Sequence, residues 1–97
     1  MAWQVRLSTR AHKNLKKMPK GINEIFQILL KEMELSGPVR NGWPNYRKLS
    51  RNKNCYHCHL QKGNPTYVAV WKSFKEKKTI EVIYVGTHEG VNYNRIC

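Results

Sequence analysis

Ile80-Glu81-Val82-Ile83-Tyr84-Val85-Gly86-Thr87-His88-Glu89, continuing to Tyr93, reads as a central strand with functional groups at its exit. From Ile80 to Val85 every residue except Glu81 is β-branched or aromatic, so both faces of the strand are apolar and both need covering. The run stops at Gly86, where the absent side chain lets the backbone turn at the end of the sheet. Thr87, His88 and Glu89 then stand on a rigid support and face solvent, a common placement for reactive groups.

Towards the N-terminus, the polar turn Lys75-Glu76-Lys77-Lys78 separates this strand from Thr66 to Phe74, and Gly63-Asn64-Pro65 separates that one from Cys55 to Lys62. Turns this short join antiparallel neighbours. Further back lie two amphipathic helices. In the first, capped by Ser8 or Thr9, Ala11, Leu15 and Met18 recur at i, i+4 and i+7 until Pro19. In the second, Ile22, Ile25, Phe26, Leu29, Leu30 and Met33 form a stripe that stops at Ser36-Gly37-Pro38. Trp3 to Leu7 alternates apolar and polar residues and completes the sheet. The order βααβββ predicts an α+β, two-layer fold over residues 1–97, a single domain. In it a helical hairpin packs on one face of a twisted, largely antiparallel four-stranded sheet.

The 97 residues hold 18 Lys and Arg against six acids, a formal charge of +12. Such an imbalance opposes a compact monomer and points to a polyanionic partner. There is no aspartate, and the glutamates at 24, 32, 34, 76, 81 and 89 are dispersed, so no carboxylate cluster suggests a two-metal nuclease. Phosphodiester chemistry is therefore expected without a metal or other cofactor. No signal-like apolar segment and no run of ~20 apolar residues is present, which predicts a soluble, cytoplasmic protein with no membrane partner. Cys55, Cys58 and Cys97 are too few and odd in number for a disulfide framework, as in a reducing compartment.

Between Pro38 and Asn54 the chain is irregular and basic with aromatics interleaved: Arg40, Trp43, Tyr46, Arg47, Lys48, Arg51 and Lys53. Cations beside flat rings suit a strand of phosphates and unstacked bases. The other use of Trp43 and Tyr46 is to pin the loop to the core, and the sequence leaves both open. Leu49 reads as core.

In Cys55-Tyr56-His57-Cys58-His59-Leu60 the period of two puts Tyr56, Cys58 and Leu60 on one face, apolar enough to lie under the helices. His57, His59 and Gln61 look the other way, the two imidazoles about 7 Å apart as i and i+2 on a strand. That is roughly the span from an attacking 2′-hydroxyl to a leaving 5′-oxygen. Histidine titrates near neutrality, so one imidazole can take a proton while another gives one. Cys55 and Cys58 with the two histidines also crowd possible zinc ligands, but a strand sends the cysteines to opposite faces and no second ligand pair lies at knuckle spacing. No metal site is expected.

The βααβββ order, Asn54-Cys55-Tyr56-His57-Cys58-His59-Leu60, the Gly-Asn-Pro turn into Tyr67-Val68-Ala69-Val70-Trp71, and Val82 to Glu89 ending at Tyr93 resemble the RelE/ParE toxin superfamily. The resemblance spans nearly the whole chain and is most specific from Cys55 to Tyr93. It implies one of two activities: a ribosome-dependent messenger-RNA endonuclease silenced by a cognate antitoxin, as in the RelE branch, or poisoning of DNA gyrase, as in ParE-type relatives. The RNase branch carries basic residues where His57 and His59 stand, an arginine or histidine matching His88, and often a tyrosine matching Tyr93. Histidines replace lysines here, and Tyr67 replaces an arginine usual on the third strand, a charge that Lys62, Arg47 or Lys48 would have to supply.

The reading that follows is in-line attack of an RNA 2′-hydroxyl on its own 3′-phosphate. Acid and base come from among His57, His59, His88 and Tyr93, with His59 favoured as base and His88 as acid, and Tyr93 stacking on a base or orienting the phosphate. Arg47, Lys48, Arg51, Lys53, Lys62, Tyr67, Trp43 and Tyr46 are the candidate RNA contacts. Messenger RNA, the ribosome and an antitoxin are the expected partners. A basic RNA-binding module without catalysis is the third reading; it explains the charge but not the histidine placement.

Overall fold

The computed structural model describes residues 2–49 and 54–93, and it is an α+β fold with both helices on one face of a sheet. The elements in order are β1 (Gln4–Leu7), α1 (Thr9–Leu15), α2 (Lys20–Ser36), β2 (Arg47–Lys48), β3 (Cys55–Gln61), β4 (Tyr67–Phe74) and β5 (Thr79–Thr87). The sheet order is β1-β5-β4-β3-β2, antiparallel except that β1 runs parallel to β5 with Val5 opposite Ile80. β5 is thus an interior strand between β1 and β4, as its two apolar faces required, while the middle of the five is β4. Among the described residues no helix is long and apolar enough to cross a membrane.

Five strands replace the four expected. Arg47–Lys48, read as irregular loop, pairs with β3, Arg47 opposite His57 and Lys48 opposite Tyr56. A two-residue strand has no readable period. It is held by its flanks: Leu49 N–H donates to Cys55 O at 2.8 Å, and His59 N–H donates to Pro44 O at 2.8 Å.

On α2 the residues Ile22, Phe26, Leu29 and Met33, spaced four, three and four apart, are all buried. They pack on Tyr56, Cys58, Leu60, Ala69, Trp71, Ile80, Val82 and Val85 from the sheet. The hairpin joint differs from the expected one: α1 closes at Leu15, and Pro19 caps the start of α2 rather than the end of α1. Its ring presets φ at −56°, and a helix start has no use for the N–H that proline lacks.

A bulge breaks the register of β5 against β4, with Tyr84 opposite Val70 but Val82 opposite Trp71. The extra residue, Ile83, shares the face of Tyr84, and its carbonyl accepts from Ser8 Oγ at 3.2 Å. The same Oγ caps α1 by accepting from Ala11 N–H at 3.1 Å. Ser8→Ala thus removes a cap and a link to the bulge together. It is expected to lower stability by about 1–2 kcal/mol in urea unfolding; a shift below 0.3 kcal/mol, a threshold of about the mildest cap losses, would show the cap to be idle.

Candidate active site

β3 alternates as its sequence predicts. Tyr56, Cys58 and Leu60 lie in the cluster under the helices, while Cys55 joins Val68, Val70 and Tyr84 in a smaller cluster on the opposite face. Cys55 and Cys58 therefore point apart and share no metal. Cys58 is a free buried thiol, pushed up to about 12 by burial and by the Glu32 carboxylate. Cys55 is disulfide-bonded, a correction to the reduced state read from the cysteine count: an odd total leaves one thiol over, not all of them.

His57 and His59 project from the face away from the helices, and β5 brings His88 to the same end. Past Thr87 the chain tightens into a 3-10 turn, His88–Gly90, whose first N–H donates to Thr66 O at 2.8 Å and fastens the turn to the start of β4. The result is a row of four rings. Tyr93 lies 5.4 Å from His57, His57 6.1 Å from His59, and His59 5.8 Å from His88 in an edge-on contact, all between centroids.

Exposure rises from His57 to His88. His88 is exposed and His59 half-buried, but His57 is only 7% exposed, where an open strand face was expected. The chain after β5 returns across this face, and Val91 and Tyr93 pack on the smaller cluster with Leu49 and Ile83. His57 Nδ1, His59 Nδ1 and Tyr93 Oη are buried without a hydrogen-bond partner among the described residues. Three orphaned polar atoms in one row are costly unless a ligand satisfies them.

Burial first, then the Arg47, His59 and His88 charges, lower the His57 pKa to about 4. His59 is lowered too, by burial, then by His88, Lys62 and Arg47. Both are neutral at pH 7. Burial raises the Tyr93 phenol, with Arg47 opposing, so it is no ready base.

A stability consequence follows. The unfolded chain protonates His57 near 6.5 and the folded chain near 4, so between these values the unfolded state holds more protons. The contribution is complete above about pH 6.5 and disappears as pH falls towards 4, a loss on the order of 2–3 kcal/mol. Urea midpoints at pH 7 and pH 4 are expected to diverge less in His57→Gln than in the parent; equal divergence would contradict the burial of a neutral imidazole.

Of the expected contacts, Arg47 pairs directly across from His57, and Lys62 acts on His59. Lys48 lies on the other face, its Nζ 5.7 Å from the Tyr56 ring centre. Trp43 and Tyr46 are likewise turned to the helical side. Trp43 Nε1 donates to Glu32 Oε1 at 2.8 Å, beside an Arg40–Glu32 ion pair at 3.3 Å, and Tyr46 stacks on Tyr56 and Trp71. These two rings pin the loop. Tyr67 sits at the mouth of a cleft outside the ring row. Arg51 and Lys53 lie outside the described residues. His12 is exposed on α1.

Tyr84 braces the turn that carries His88, which the sequence did not suggest. Its Oη donates to Thr87 O at 2.7 Å, and a Cβ added at Gly86 or Gly90 would stand 2.9 or 2.7 Å from the Tyr84 Oη. Two glycines four apart after an aromatic strand were the available signal.

No family model matches the sequence, and no curated protein matches it. Solved structures do. A variant of the Escherichia coli toxin RelE in the free state superposes with a TM-score of 0.77 at 25% identity, covering 99% of this chain and 94% of that one. The toxin of the intact E. coli RelBE toxin–antitoxin complex gives 0.71 at 26%, with 88% and 95% covered. The YoeB dimer from Staphylococcus aureus gives 0.71 at 17%, with 91% and 99% covered, a likeness of fold. The chain thus has the fold of the RelE and YoeB toxins of the RelE/ParE superfamily.

Proposed function

We propose that this protein is the toxin of a toxin–antitoxin pair and a metal-independent endoribonuclease that cleaves messenger RNA in the ribosomal A site. The observation that carries the reading is the His59–His88 pair, two accessible imidazoles 5.8 Å apart, the inner one neutral with an unsatisfied nitrogen. Neutral His59 takes the proton of the attacking 2′-hydroxyl as the new P–O bond forms, and His88 gives a proton to the departing 5′-oxygen as the old one breaks. The products are a 2′,3′-cyclic phosphate and a 5′-hydroxyl. Arg47 and Lys62 offset the charge that builds on the phosphorane. Buried His57 and half-buried Tyr93 hold the inner wall, with Tyr93 available to stack on a base or orient the phosphate.

A charge of +12 would make the free toxin adhere to ribosomal RNA, and it fits an acidic antitoxin that covers the same surface. RelE with RelB and YoeB with YefM form toxin–antitoxin complexes. The domain acts as one unit over residues 1–97, and ribosomes place its work in the cytoplasm.

The test is to translate a defined message with the protein present and map the 5′ ends. Cuts at the A-site codon support the reading. Intact message together with accumulated cleaved DNA–gyrase complexes would transfer the protein to the ParE-type activity.

A further inference from the structure

A cleft of about 220 Å³ lies at the open end of the β4–β5 pair, immediately beside the turn that carries His88. Tyr67, Tyr84, Gly86 and Thr87 line it from the sheet, and Asn14 and Lys17 close it from the end of α1. It is smaller than the roughly 300–1,000 Å³ of sites for drug-sized ligands, and is on the scale of a single base. Gly86 keeps it open, because a Cβ there would fill the notch between Tyr84 Oη and the Asn14 amide, 2.9 and 3.6 Å away. Arg10 continues the cationic side towards the catalytic turn: its guanidinium lies 5.1 Å from the Tyr84 ring centre, and Nη2 donates to Gly90 O at 3.4 Å.

Resting on the nuclease reading, we infer that this cleft holds the nucleotide on the 3′ side of the cut. The direction comes from the roles of the imidazoles. The 5′-oxygen protonated by His88 belongs to the downstream nucleotide, and Thr87, the residue next to His88 in the chain, lines the cleft. A strand crossing from His59 to His88 therefore delivers its next base to the half-buried Tyr67 ring. Stacking on that ring is indifferent to base identity, whereas the Asn14 amide offers a donor and an acceptor to a base edge. Lys17 and Arg10 meet the phosphates that flank it.

The experiment measures ribosome-dependent cleavage of messages carrying each of the four bases just 3′ of the cut. In Tyr67→Ala and in the surface variant Lys17→Glu, KM rises 10-fold or more while kcat changes less than threefold, the pattern of lost binding common to ground and transition states. Tyr67→Phe restores the parental KM, and Asn14→Ala flattens the 3′ base preference. Unchanged KM in both Tyr67→Ala and Lys17→Glu overturns the subsite, as does a preference that changes on the 5′ side instead. Should the parent protein cut no message, the nuclease reading fails by itself. The cleft is then judged by titrating the free protein with a 2′-O-methyl RNA trinucleotide: shifted Gly86 and Thr87 amide signals uphold it, and unmoved signals remove it.

Discussion

Alanine at His59 is expected to slow single-turnover cleavage by about 100- to 10,000-fold, the range for loss of a positioned acid or base. His88→Ala is expected to fall in the same range, and the double variant to lose much less than the product of the two, since they serve one proton-transfer sequence. Neither change should unfold the protein, because His59 is half-buried at the end of its strand and His88 is exposed. The pH profile separates a base from a mere contact. His59 works deprotonated, so the rate falls as pH drops through its pKa, and that pKa lies below the ordinary 6.5. Activity should hold at pH 6.5 and decline below it. Arg47 is one of the cations that disfavour protonation there, after burial, His88 and Lys62. Arg47→Ala should therefore move the acid limb to higher pH besides lowering the rate. A loss under threefold in both alanine variants would leave the imidazoles without a chemical role.

Trp71→Ala is expected to destabilise the fold by about 3–5 kcal/mol, the usual cost of emptying a large aromatic site. Trp71 is fully buried and stacks on Tyr56 with 6.0 Å between centroids and 11° between planes, while Tyr46 covers it at 6.2 Å. Its Nε1 donates to Pro38 O at 3.0 Å, where the chain leaves α2. Removing the indole opens a cavity and strands that carbonyl. Trp71→Phe keeps a ring but loses the donor and part of the indole volume, so a smaller loss of about 1–3 kcal/mol should follow. The stack also reaches the active site, because Tyr46 precedes Arg47 and anchors it opposite His57. Thermal unfolding followed by circular dichroism gives the loss, and a cost below 1 kcal/mol for the alanine variant would mean that the stack does not hold the loop.

Much of this site could be read before any coordinates, because strands report their faces. Alternation through Cys55 to Gln61 settles which side His57 and His59 take, whereas Gly86, read as the strand's stop, still pairs with Val68, and β5 runs one residue further before the turn that presents His88. Other features depend on contacts that no local pattern carries. The burial of His57 comes from Val91 and Tyr93 returning over the small cluster of Val68, Val70 and Tyr84. An aromatic in a basic loop serves equally as a base platform or a peg, and for Trp43 the choice falls to Glu32, eleven residues away on α2. Ile83 looks like any other strand residue until the bulge spends it on Ser8. The polar side of α1 reads as a solvated face, so the part played by Asn14 and Lys17 emerges only once β5 is set beside them.

The most direct trial of the imidazole mechanism replaces one atom of the substrate. A message carrying a single 2′-deoxynucleotide at the position of attack, translated on ribosomes with the protein, has no internal nucleophile. This message should stay intact, while its all-ribose twin is cut to a 2′,3′-cyclic phosphate and a 5′-hydroxyl. Cleavage of the deoxy-substituted message at the same bond, or a 5′-phosphate on the downstream product, would mean that water attacks and that His59 and His88 do not divide the work proposed here.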